Sequence, residues 1–162
     1  MGTDLAIRPA TVEDEDAVWA MLEPVFRAGD TYAVDPDISR ADALDYWFRR
    51  TPHVYIAEDE APRGTFYIRK NYPGGGAHVC NCGYVTGRGS EGRGVARAML
   101  AFSMEEAKRL GFEAMQFNFV LADNTRAVET WKRAGFVEVG RQPRAFRKRE
   151  AYVDALILHR FL

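Results

Sequence analysis

The chain has 162 residues, 47% of them hydrophobic and 28% charged, with a formal net charge of −1. That length supports one domain, residues 1–162, with a proper core, and a charge near zero disfavours nucleic acid or an anionic membrane as a partner. No apolar run is long enough to span a membrane, and Asp4 and Arg8 interrupt the N-terminal stretch that a leader would need. A cytoplasmic protein with no membrane partner is expected.

Residues 5–8 read as a strand leading to a helix near Thr11, where Thr11 and Asp14 have capping-box spacing and Val18, Met21, Leu22 and Val25 supply an apolar face. A second helix follows Ser39, with Ala43, Leu44, Trp47 and Phe48. Residues 53–57 and 65–68 read as adjacent strands joined by a polar turn containing Pro62 and Gly64, with Glu58 and Asp59 in solvent. Residues 71–76 form a mobile glycine-rich turn before a strand over 77–85. A long helix, a strand over 114–121, a helix ending at Ala134 and late strands around 136–140 and 152–160 complete the chain. This mixture predicts the α/β or α+β class with a mixed sheet.

Cys80 and Cys82 stand one residue apart on a strand and face the same way, and no second cysteine pair or nearby histidine pair completes a zinc site. They read as small core residues, with an acyl-cysteine intermediate as the other reading, and no metal is expected. The basic residues Arg141, Arg144, Arg147, Lys148 and Arg149 read as a solvated surface, with a ribose phosphate as the alternative partner.

Chemistry concentrates after Val85 and Thr86, where Gly87, Gly89, Gly92 and Gly94 form a turn that opens onto an alanine-rich helix. Glycines let a ligand approach the backbone, and the free N–H groups and dipole of a helix N-terminus attract anions, so a pyrophosphate-bearing cofactor is expected. Two spacings compete. Gly87-Arg88-Gly89-Ser90-Glu91-Gly92 fits the dinucleotide fingerprint, which also wants an acid about 20 residues beyond the loop, whereas the next strand ends later, near Asp123. Glu91-Gly92-Arg93-Gly94-Val95-Ala96 fits the turn of acyl-CoA-dependent acetyltransferases, and no G-K-[S/T] follows to make a P-loop.

The second motif is Asn124-Thr125-Arg126-Ala127-Val128-Glu129-Thr130-Trp131-Lys132-Arg133-Ala134-Gly135-Phe136. Asn124 suits an N-cap, Ala127, Trp131 and Ala134 share a helix face, and Gly135 suits a left-handed exit. Together with the glycine loop and the opening Leu5-Ala6-Ile7-Arg8-Pro9-Ala10, it resembles the GNAT superfamily of N-acetyltransferases over essentially the whole chain. The resemblance implies a GNAT-like acyl-CoA N-acyltransferase fold, a mostly antiparallel mixed sheet flanked by helices, with acetyl-CoA as cosubstrate and a homodimer as the assembly. It places Tyr84, Val85 and Thr86 on the pantetheine arm, and the backbone N–H groups of Gly92, Arg93, Gly94, Val95 and Ala96 on the pyrophosphate. Asn124, Ala127 and Trp131 line the cofactor.

Two residues depart from that family's pattern. Glu91 stands where arginine or glutamine usually opens the glycine motif, and Trp131 stands where a tyrosine commonly protonates the leaving thiolate. An indole N–H hydrogen-bonds but is no acid near neutral pH. Segments 78–84, 116–120 and 152–156 resemble the branch containing fungal acetyltransferases of proline analogues such as azetidine-2-carboxylate. That implies that Asn81, Tyr84 and Asn118 hold a small polar amine acceptor, of the amino- or imino-acid class, with Asn118 and Asn124 as the catalytic amides. Hydrogen bonding to neighbouring backbone or water is the structural alternative for these asparagines. His78 is the histidine nearest the cleft and competes with a relayed water as base. The expected activity is acetyl transfer by direct attack in a ternary complex; a non-catalytic acyl-CoA-binding module is the alternative.

Overall fold

The computed structural model describes residues 4–162; Met1, Gly2 and Thr3, the start of the expected domain, lie outside the described residues. The elements are β1 (Ala6–Pro9), α1 (Glu15–Ala28), α2 (Arg40–Phe48), β2 (Val54–Glu58), β3 (Pro62–Lys70), β4 (Val79–Thr86), α3 (Val95–Arg109), β5 (Ala114–Leu121), α4 (Thr125–Arg133), β6 (Val137–Lys148) and β7 (Ala151–Phe161). The strands form one mixed sheet in the order β1-β2-β3-β4-β5-β7-β6. All neighbours run antiparallel except β4 and β5.

Local chemistry sets the helix ends. The Thr11–Asp14 capping box forms as expected, but it closes a short 3-10 turn, Val12–Asp14, that precedes α1. Arg8 grips Asp14 through two nitrogens and also reaches Glu58, which ties β1, β2 and the start of α1 together. The guanidinium lowers the Asp14 carboxyl to about 2. Ser39 caps α2 by accepting from the Asp42 N–H at 3.0 Å.

Period-two alternation splits the core into two layers. On one face of the sheet, α1 and α2 bury Leu22, Phe26, Leu44 and Trp47 against Val54, Ile56, Tyr67 and Val85. On the other, α3 buries Met99, Leu100 and Ala107 against Phe66, Ile68, Cys80, Met115 and Leu158. Val128 and Trp131 of α4 join that second layer from its margin.

Two expected boundaries shift, and one expected surface changes character. Pro62 and Gly64 lie within β3 and the turn falls before them, because Gly64 is where α3 crosses: a Cβ there would sit 2.8 Å from the Met99 sulfur. The first late strand is far longer than expected, since β6 runs from Val137 to Lys148, pairs with β7 and carries most of the basic run, whereas β7 lies where it was expected. Glu58 and Asp59 are not free solvent carboxylates, being ion-paired to Arg8 and Arg63.

Candidate active site

The site exists because β4 and β5 part company. Their parallel ladder spans only Val79 with Ala114 and Cys80 with Met115. One residue further on, the Asn81 side-chain N–H donates to the Gln116 carbonyl at 2.9 Å, holding the base of the fork. Asn71 N–H donates to the Val79 carbonyl and Gly87 N–H to the Arg63 carbonyl, so the odd residues of β4 face β3. By alternation, the main-chain polar groups of Cys82, Tyr84 and Thr86 face the opening. The Tyr84 carbonyl has one partner there, the Tyr32 hydroxyl at 3.0 Å. An open strand edge of this kind can pair with an extended amide-containing ligand.

A cavity of about 700 Å³ fills the fork and is lined from both faces of the sheet. Ala96, Ala127 and Trp131 bound it on the α3 and α4 side, and Tyr67, Arg69 and Asn81 on the other. Gly92 and Gly94 adopt φ of 75° and 80°, and a Cβ on either would meet nothing within 4 Å. Gly94 caps α3 with no side chain over the end. Ala98 N–H takes the Gly94 carbonyl, which leaves the N–H groups of Val95, Ala96 and Arg97 without acceptors in the helix. The cradle therefore fits a diphosphate. Arg93 beside it is exposed. The Val95 side chain is buried in the α3 core, so only its backbone is offered. Glu91 is committed to the loop, its carboxylate accepting from the Gly89 N–H at 2.7 Å.

Helix α4 forms the adjoining wall. Asn124 is its N-cap, with Oδ1 accepting from the Ala127 N–H at 3.4 Å, and Asn124, Ala127 and Trp131 all border the cavity. The half-buried Trp131 ring lies 5.0 Å from Phe117 and 5.4 Å from Tyr84, so it packs into the core and lines the cavity at once.

The far end is polar. Around Asn118 the β5–β7 register slips between Phe117 and Val120, a bulge that breaks the ladder where the side chain is needed. Asn118 accepts from Gln116 at 3.0 Å and donates to Asn71 Oδ1 at 2.6 Å. Asn71, Asn81 and Asn118 all border the cavity. Tyr84 and Val85 take other roles than their backbone alone: the Tyr84 hydroxyl bonds buried Ser103 at 2.7 Å, and the Val85 side chain packs under α1. Thr86 is half-buried on the cavity wall. His78 is exposed ahead of β4 and outside the cavity lining. Burial pushes the Cys82 thiol well above its ordinary value.

The sequence reading missed Tyr32, Tyr67, Arg69 and Asn71. The Tyr67 ring lies across β4 because position 83 is glycine; a Cβ there would sit 2.6 Å from the ring. The one sequence signal for Arg69 is a charge that ends the apolar run Phe66-Tyr67-Ile68.

The dinucleotide fingerprint finds no matching architecture, since its glycines join two strands that pair over only two positions in a mostly antiparallel sheet. The sequence pattern of the acetyltransferase (GNAT) family matches residues 16–136. N-acetyltransferase aca1 of Schizosaccharomyces pombe is 30% identical over 148 aligned residues, covering 80% of this chain and 71% of that protein. A GCN5-related N-acetyltransferase from Kribbella flavida superposes with a TM-score of 0.90 at 34% identity over 98% of both chains. A phosphinothricin acetyltransferase from Sinorhizobium meliloti, solved with acetyl-CoA, shares the fold at a TM-score of 0.87 and 17% identity, over 98% of this chain and 88% of that one. The forked sheet, the glycine cradle and these matches together make this chain a member of the GNAT family of acetyl-CoA-dependent N-acetyltransferases.

Proposed function

We propose that the chain transfers acetyl to the neutral amine of a small polar acceptor, of the amino- or imino-acid class, by direct attack while both substrates are bound. The observation that carries this reading is the cavity through the fork, with an anion cradle at the α3 end and asparagine side chains on the opposite face of the sheet. Acetyl-CoA supplies an activated thioester. The N–H groups of Gly92 to Arg97 hold its diphosphate, and the open edge of β4 at Tyr84 and Thr86 holds its amide-bearing arm. Ala127 keeps α4 close enough for Asn124 and Trp131 to border the same space.

Asn81 and Asn118 orient the acceptor, and carboxamide donors suit an oxyanion as it forms. Among the described residues no side chain of the lining is a carboxylate or imidazole, and a water held by the asparagines takes the role of base for the amine proton. Trp131 offers its indole N–H to the developing thiolate, while the Tyr32 phenol, which burial keeps protonated, spends its one O–H on the Tyr84 carbonyl and so shapes the strand edge. The buried, protonated Cys82 thiol supports direct attack over an acyl-cysteine.

The unit is residues 1–162, assembled as a homodimer: β6 is an edge strand with Val137 and Val139 each more than half exposed. The free thiols of Cys80 and Cys82 favour a reducing cytoplasmic setting. Among the described residues no helix is long and apolar enough to cross a membrane.

The test varies acetyl-CoA against a panel of amino and imino acids and follows thiol release. Intersecting initial-velocity lines are expected; parallel lines would indicate a covalent enzyme intermediate, and no release from the panel would contradict the acceptor class.

A further inference from the structure

The acceptor end of the cavity is cationic, and its cations are unspent. Arg50, Arg69 and Lys70 line it, no carboxylate does, and none of the three has an ion-pair partner among the described residues. Arg69 is the inner one. It is half-buried, with its guanidinium carbon 3.8 Å from the Tyr67 ring centre and 5.0 Å from that of Tyr46. Among the described residues its hydrogen bonding is weak, a long 3.5 Å bond to the Tyr46 carbonyl and an interaction with the Tyr67 hydroxyl, which leaves N–H donors of the guanidinium for a ligand. Tyr46 is itself held by Trp47, Tyr67 and Phe26, and Arg50 lies 5.2 Å over its ring. The guanidinium thus rests on a packed aromatic platform that fixes its plane.

The platform has a purpose only if something meets the free donors. Arg69 stands opposite Asn81 in the β3–β4 register, so the two side chains share a face beside the fork. Asn71 takes the Asn118 N–H at Oδ1, and its side-chain N–H donors have no partner among the described residues. A planar guanidinium flanked by carboxamide N–H donors, in a pocket free of negative charge, matches a carboxylate.

We propose that Arg69, set on Tyr67 and Tyr46 and neighboured by Asn81, binds the carboxylate of the acceptor and makes the enzyme selective for amines that carry an adjacent anion. This rests on the acetyl-transfer reading above. Arg50 and Lys70 at the rim draw such acceptors in. The acceptor is thereby held by its anion on the α1 and α2 face of the sheet, with its amine directed into the fork.

The experiment compares glycine, alanine and proline with their carboxamides, on the wild-type protein and on Arg69→Met and Arg69→Lys. Binding to the CoA-loaded protein is read by calorimetry and turnover by thiol release, with thermal melts as a folding control. Each acid is expected to bind at least about tenfold more tightly than its carboxamide. Arg69→Met should bring that ratio near one by raising KM for the acids about 10- to 100-fold, with little change for the carboxamides, and Arg69→Lys should keep part of the preference. The wild-type ratio decides the matter even if a variant does not fold. Equal or better binding of the carboxamides, or a preference that survives Arg69→Met, would overturn the anion subsite. Turnover of uncharged amines alone would overturn it and leave acetyl transfer standing. Acid binding without CoA release would support the subsite and overturn the proposed acceptor chemistry, and no binding with no release would overturn both.

Discussion

Trp131 stands where the resemblance to the family implies a tyrosine. A phenol at that position could pass a proton to the leaving thiolate, whereas an indole can only donate a hydrogen bond. The indole closes the aromatic cluster with Phe117 and Tyr84, and Phe117 in turn stacks on Phe136 at 4.5 Å. Trp131→Tyr should raise turnover severalfold and introduce a basic limb into the rate profile, at some loss of stability from reduced packing. Lower turnover with an unchanged pH profile would mean that the indole is fitted to the chemistry here. Legibility at this scale was uneven. Asn124 as a helix cap and Gly135 as a left-handed exit, φ 92°, followed from local rules. Arg69, Asn71 and Tyr32 did not, because each gains its meaning from neighbours on other elements.

Among the elements, the strands flanking the fork hold the function and the outer strands hold the surface. The expected helix and strand order held, with β5 at the expected residues, because its apolar alternation is long and its ends are marked by polar turns. The bulge at Asn118 and Phe119 left no sequence trace, since bulge formation depends on how β7 pairs back along β5. The length of β6 was also hidden: its basic residues read as a solvated surface, yet Arg141 pairs with Asp154 and Lys148 with Asp123. An edge strand of 12 residues with exposed valines is an invitation to pair, so sedimentation equilibrium should return twice the 18.3 kDa chain mass. Val137→Asp with Val139→Asp should shift that reading toward the monomer; a wild-type monomer would remove the homodimer from the account.

For the whole molecule, the proposed function gives the two layers of helices different substrates. The α3 and α4 side carries the glycine cradle and the α4 wall, the α1 and α2 side carries Arg69 on its tyrosine platform, and the forked sheet lets the two meet. The cofactor half was readable because its geometry is local, a glycine loop running into a helix and an asparagine opening another. The acceptor half draws on β3, β4, β5 and α2, which the sequence separates by up to about 80 positions and no pattern joins. The most direct test of the account is calorimetric titration of acetyl-CoA into the wild-type protein and into Gly94→Asp. A carboxylate at position 94 would stand beside the free N–H groups of α3, in open space and at a φ of 80° that disfavours any side chain. One acetyl-CoA per chain with a Kd of about 1 μM to 1 mM is expected for the wild type, weakened at least about 100-fold in a folded Gly94→Asp. Equal affinity in the variant, or no binding to the wild type, would contradict the assignment of the cradle.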